Sequence, residues 1–176
     1  ILLCNRNNRQ ITARQIQTGE VSMLAGGVRI QGADLQEIAK IRTWQELLFP
    51  LHGKVEREYT AEAAAQTVWN TEIMELLQSL HEEKGAFLFR IEYKGSLDER
   101  KKGEFVKKTA SLLEEKSERM LINSISDYEI EIRIVESKKG GYLPFLRLYT
   151  MEDERFVYRK ESIAASIAPV NAALIM

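Results

Sequence analysis

Residues 86–94 read AFLFRIEYK and alternate strictly. Phe87, Phe89, Ile91 and Tyr93 fall on one side of an extended chain, and Leu88, Arg90, Glu92 and Lys94 on the other. This is the period-two signature of a strand with one buried face. Gly95 ends the run, and DERKKGEFVKKTASLLEEK then changes period. The spacing of Phe105, Val106, Ala110, Leu112 and Leu113 predicts an amphipathic helix over 99–117. Gly103 weakens its first turns by about 1 kcal/mol relative to alanine. DYEIEIRIVE, residues 127–136, alternates again: Tyr128, Ile130, Ile132 and Ile134 inward, Glu129, Glu131 and Arg133 outward. Two further strands, near 145–150 and 155–159, would flank the MEDE turn as a hairpin.

Upstream of the strand, Ala65, Trp69, Ile73, Leu76 and Leu80 recur at helical spacing. Asn70 and Thr71 are N-cap residue types in mid-run, so two helices are expected, over 61–69 and 72–83, with Gly85 closing the second. The second half therefore reads helix–helix–strand–helix–strand–strand. Its strands carry one charged side, which predicts helices on the other face only. That is α+β, not a doubly wound parallel sheet.

The first half is less regular. VRIQGADLQEIAKIRTWQELLFPLHGKV reads as a strand, a turn at Gly32, a short helix capped by Asp34 with Glu37 at the capping-box position, and a strand over 46–51. Before Val28, Gly26-Gly27 marks a turn, and residues 11–16 fit a strand or a helix fragment equally.

Apolar residues make up 44% and charged residues 29%, the composition of a folded chain rather than a disordered one. No run approaches the roughly 18 apolar residues of a membrane span. The lone Cys4 suits a cytoplasmic setting, and His52 and His81 are too isolated to suggest a metal or catalytic site. The chain begins at Ile1, and its last fifteen residues, SIAASIAPVNAALIM, carry no charge. Both ends read as cuts in a longer protein, with 161–176 an apolar linker toward a further domain.

The net charge of −1 is unevenly spread. Residues 1–83 hold 8 Lys/Arg against 11 Asp/Glu; residues 84–160 hold 17 against 14. Arg100, Lys101, Glu104, Lys107, Lys108 and Ser111 share one face of the 99–117 helix, opposite its apolar stripe. Such a strip is either a solvated face or a phosphate-contacting surface. Lys138-Lys139 and Arg159-Lys160 add basic loops, Lys94 ends the first strand, and Tyr142 and Tyr149 are candidates for stacking on unpaired bases. Gly140-Gly141 lacks phosphate-loop spacing. No acid–base–nucleophile set is complete, so the chain by itself is not read as an enzyme, and no catalytic, cofactor or metal residue is assigned.

The segments FLFRIEYKG, LINSISDYEIEIRIVE, FLRLYT and ERFVYRKESIAASIAPVNAALI resemble the THUMP domain, an RNA-binding module of tRNA- and rRNA-modifying enzymes. Residues 1–57, including KIRTWQELLFPL, resemble part of the ferredoxin-like domain that precedes it, leaving 58–160 as the THUMP-like module. SISDYE departs from the Asn-Pro that the family often carries there. The resemblance implies structured RNA as partner, held often by its single-stranded end. It also implies a following Rossmann-like domain that uses S-adenosylmethionine to methylate a base, commonly guanine N2. Lys94, Arg100, Lys101, Lys107, Lys108, Lys138, Lys139, Tyr142, Arg159 and Lys160 are the RNA-contact candidates. A non-catalytic protein-interaction scaffold, whose apolar tail binds a partner while the basic helix face is merely solubilising, is the alternative.

Overall fold

A computed structural model of the chain describes residues 1–3, 8–51, 60–80, 85–137, 141–151 and 154–156. The chain divides into two compact units: residues 1–48 with the segment from Met151 onward, and Phe49–Thr150.

In the first unit the elements run β1 (Leu2–Leu3), α1 (Arg9–Gln15), β2 (Glu20–Leu24), β3 (Gly27–Gln31), α2 (Leu35–Lys40) and β4 (Glu46–Leu47). Its sheet has the order β2-β3-β1-β4 with every pair antiparallel. This β-α-β-β-α-β path is the ferredoxin-like split βαβ arrangement. All six elements are present, where the sequence suggested a partial domain. Leu2, Val28, Ile38, Ile41 and Trp44 form the core, and residues 11–15 resolve as helix, with Ile16 its extended C-cap. The hydroxyls of Thr12 and Thr43, both buried, are 2.7 Å apart and pin α1 to the loop after α2. Asp34 caps α2 by accepting from the amide of Gln36 at 2.9 Å. Glu37 does not close a capping box; its carboxylate instead accepts from the amide of Gln17 and the hydroxyl of Thr18. Gly19, at φ +77°, turns where a Cβ would lie 2.4 Å from the carbonyl of Gln31.

The second unit holds β5 (Phe49–Pro50), α3 (Ala61–Val68), α4 (Thr71–Leu80), β6 (Phe87–Lys94), α5 (Glu99–Lys116), β7 (Leu121–Asn123), β8 (Ile130–Glu136) and β9 (Tyr142–Leu148). The expected strand over 46–51 is thus split, with β4 in the first sheet and β5 in the second. Thr60 caps α3 and Asn70 caps α4, its side-chain oxygen accepting from the amide of Ile73 at 3.2 Å. The sheet order is β5-β9-β8-β6-β7; β6 is parallel to β7 and β8, and β9 is antiparallel to β8 and β5. The fold is α+β, with the expected element order plus the short β7. Tyr93 meets Phe105 of α5 at 5.4 Å, so α5 covers the side of β6 that carries Phe87, Phe89, Ile91 and Tyr93. Glu118 and Arg119, both at positive φ, end α5 without a glycine.

The expected hairpin fails here: β9 pairs with β8 on one side and β5 on the other. Glu154–Phe156 is a 3-10 turn belonging to the first unit, and residues 157–159 lie outside the described residues. Arg155 is buried there, its guanidinium 3.3 Å over the Trp44 ring and donating to the carbonyls of Ile41 (3.3 Å) and Trp44 (2.9 Å).

Candidate nucleic-acid interface

Helix α5 is long because Asp98 starts it well. The Asp98 carboxylate accepts from the amide of Lys101 at 3.0 Å, and that hydrogen bond, with the nearby Lys101 charge, holds its pKa below the ordinary value. The helix then presents its cations along one exposed side. Most are matched by acids: Arg100 with Glu104 at 3.1 Å, Lys101 with Asp98 at 3.5 Å, and Lys102 with Glu99 at 3.7 Å. Lys108 reaches Glu62 of α3 at 2.5 Å, and Lys116 donates to Gln66 at 2.9 Å. Lys107 is exposed, with no ion pair among the described residues. The strip is therefore a lattice of exposed pairs, each worth little to stability.

The structure does not gather all the predicted contacts on that strip. Lys94 sits on the side of β6 turned away from α5 and pairs with Glu92. Lys138, Lys139, Arg159 and Lys160 lie outside the described residues. Tyr142 is a correction. It is 1% exposed and packs 5.4 Å from Phe105, because β9 begins at Tyr142 itself and points Tyr142, Pro144, Leu146 and Leu148 inward. It is removed from the candidate surface.

The opposite face of the sheet carries a group that the sequence scattered. Register pairs Arg90 of β6 with Glu131 of β8, and Glu131 with Arg147 of β9. Glu131, expected outward and in water, is 0% exposed. It accepts from Arg90 (2.6 Å and 3.0 Å) and Arg133 (2.7 Å and 2.8 Å), and from the hydroxyl of Tyr149 at 3.2 Å. Burial resists its ionisation, but the bonds from Arg90 and Arg133 outweigh that and hold its pKa below the ordinary value. Burial and the same carboxylate push the Tyr149 phenol above its usual range. The Arg90 guanidinium lies 4.0 Å over the Tyr128 ring, Arg147 lies 4.6 Å over Tyr149, and the two tyrosines meet edge-on at 5.0 Å. Tyr128 was expected inward with Ile130. It precedes the first residue of β8, so the alternation does not bind it, and its ring folds to the arginine side. The signal for this cluster was cross-strand: Arg90, Glu131 and Arg147 become neighbours only once the register is known.

Among the described residues there is no group of His, Cys, Asp and Glu able to hold a metal ion, and no helix long and apolar enough to cross a membrane. The turn after β6 is tightly packed: Glu136 accepts there from the Ser96 amide at 2.6 Å and the Tyr93 hydroxyl at 3.0 Å, and a Cβ on Gly95 would lie 2.2 Å from that hydroxyl.

No family model matches the chain, and no curated protein matches it by sequence. Among solved structures it is similar to the crystal structure of a 4-thiouridine synthetase–RNA complex with bound ATP, at 14% identity and a TM-score of 0.49, over 80% of this chain and 35% of that one. It is also similar to PH1313 from Pyrococcus horikoshii Ot3, at 13% identity and a TM-score of 0.41, over 81% of this chain and 47% of that one. The chain thus spans less than half the length of either.

Proposed function

We propose that this chain is the RNA-holding part of an RNA-modifying enzyme. The observation that carries the reading is the tandem itself. A ferredoxin-like β-α-β-β-α-β unit is followed by a helix–helix–strand–helix–strand module whose α5 turns a cationic side to solvent. That succession is what resemblance to a THUMP-containing enzyme leads one to expect. In the finer form of the proposal, the enzyme is a methyltransferase acting on tRNA or rRNA in the cytoplasm. A following Rossmann-like domain binds S-adenosylmethionine and methylates a base, guanine N2 first among candidates, while this chain positions the RNA.

The test is a titration of the chain against labelled tRNA, with and without its unpaired 3′ end, over a salt series. If about three phosphates are neutralised on a single strand, log affinity falls with log salt at a slope near −2. The double charge reversal Lys107→Glu/Lys108→Glu should weaken binding with the fold intact by circular dichroism. Loss of affinity on trimming the 3′ end supports recognition of unpaired RNA. Absence of binding at every salt would reject the reading and favour a protein-interaction scaffold, to which the paired carboxylates of α5 are better suited.

A further inference from the structure

We infer that the sheet face opposite α5 is a stacking site for an unpaired nucleobase, centred on Tyr149. The inference rests on the RNA reading and adds a location that the basic helix does not supply.

The first ground is charge. Arg90 and Arg133 pair with Glu131, Arg147 stands opposite Glu131 in the register, Lys94 pairs with Glu92, and Glu129 accepts from the Leu88 amide at 3.0 Å. The four cations Arg90, Lys94, Arg133 and Arg147 against the three anions Glu92, Glu129 and Glu131 leave one positive charge in excess on the face, next to aromatic rings. The second ground is aromatic surface. Tyr149 keeps 39% of its surface exposed, though its hydroxyl is fixed to Glu131 and its ring is held edge-on by Tyr128. A ring held this way loses little freedom when a base stacks on it, and base–aromatic stacking tolerates any sequence. Arg147, 4.6 Å from the centre of that ring, and Arg90, 5.8 Å from it, put positive charge within reach of a phosphate beside a stacked base. The third ground is the neighbouring loop. Between β7 and β8, Ile125 is 86% exposed at the tip of a turn closed by the Asp127 amide donating to the Ser124 hydroxyl at 3.1 Å. That turn leads within a few residues to Tyr128 and carries an exposed apolar side chain. Duplex RNA hides its base faces; a single strand offers them to such a surface.

The experiment uses the full chain, a fluorescein-labelled 12-nucleotide single-stranded RNA carrying one 2-aminopurine, and a duplex RNA of equal length. Wild type is expected to quench 2-aminopurine on binding the single strand. Tyr149→Ala should lose about tenfold in single-strand affinity, keep duplex affinity within about twofold, and abolish the quench. Tyr149→Phe, which retains the ring, should retain both affinity and quench. Arg147→Gln keeps the ring whatever the stability of Tyr149→Ala, and should flatten the single-strand salt slope by about 0.7. If wild type binds single-stranded RNA but Tyr149→Ala and Arg147→Gln match it in affinity, quench and salt slope, this site is rejected and the RNA reading survives. If wild type binds neither RNA, both fall together.

Discussion

On one face of the sheet in the second unit, Phe87, Phe89, Ile91 and Tyr93 of β6 lie under α5, and the contacts are apolar and aromatic. On the other face of the same sheet, Arg90, Glu131 and Arg147 stand in a row by register, and Glu131 is held by charge-assisted hydrogen bonds from Arg90 and Arg133. The first face is stabilised by the area it removes from water, and almost any well-fitting hydrocarbon would serve. The second depends on each partner being present, because a buried charge without its counterion is costly. One face can drift in sequence while volume is kept; the other is fixed group by group.

Substitutions can set the two faces against each other. Leu113→Ala, on the fully buried side of α5, should cost about 3–4 kcal/mol in urea unfolding with an unchanged denaturant slope. A loss below about 1 kcal/mol would mean that the helix face is loosely packed and the contrast is false. Glu131→Gln should cost about 2 kcal/mol, less than a fully enclosed pair because Arg90 reaches solvent.

Glu131 also gives the comparison a pH axis. Its pKa is held below the ordinary 4.5 in the folded chain. The stability it contributes is therefore full above about pH 4.5 and is lost as pH falls through the folded value. Wild type and Glu131→Gln should converge as pH falls through that lowered value, whereas the deficit of Leu113→Ala should persist. Convergence of neither would show that Glu131 is not ionised in the fold. The smallest effect is expected at the joint between the faces. Gly95→Ala forces a Cβ toward the Tyr93 hydroxyl and the Glu136 carboxylate and should cost about 1–2 kcal/mol, read as a lowered melting temperature.

What the sequence could reveal follows the same division. The alternation of residues 86–94 and the helical stripe of 99–117 located β6 and α5 closely, because burial against one neighbour imposes a period on the chain itself. The faces of Glu131 and Arg133 were also legible, but their burial was not, since Arg90 stands forty-one residues away and closes over them only through parallel pairing. Tyr142 was misplaced because Pro144 disguised the start of β9. There β5 meets it as an edge strand, and the Leu51 amide donates to the Pro144 carbonyl at 3.0 Å. β2 gave no signal because four of its five residues are exposed, and α1 spans only seven. Of the candidate site, the cations of α5 were visible as composition. Their pairing, and the existence of a second cluster, belong to the register.

The Arg155–Trp44 contact has a consequence for the order of events during synthesis. The first forty-eight residues leave the ribosome early, yet their unit is completed by a guanidinium encoded more than a hundred codons later. The second unit is one continuous stretch and can fold as soon as Thr150 emerges. The first keeps Trp44 uncovered until Arg155 has emerged, so it is begun first and closed last.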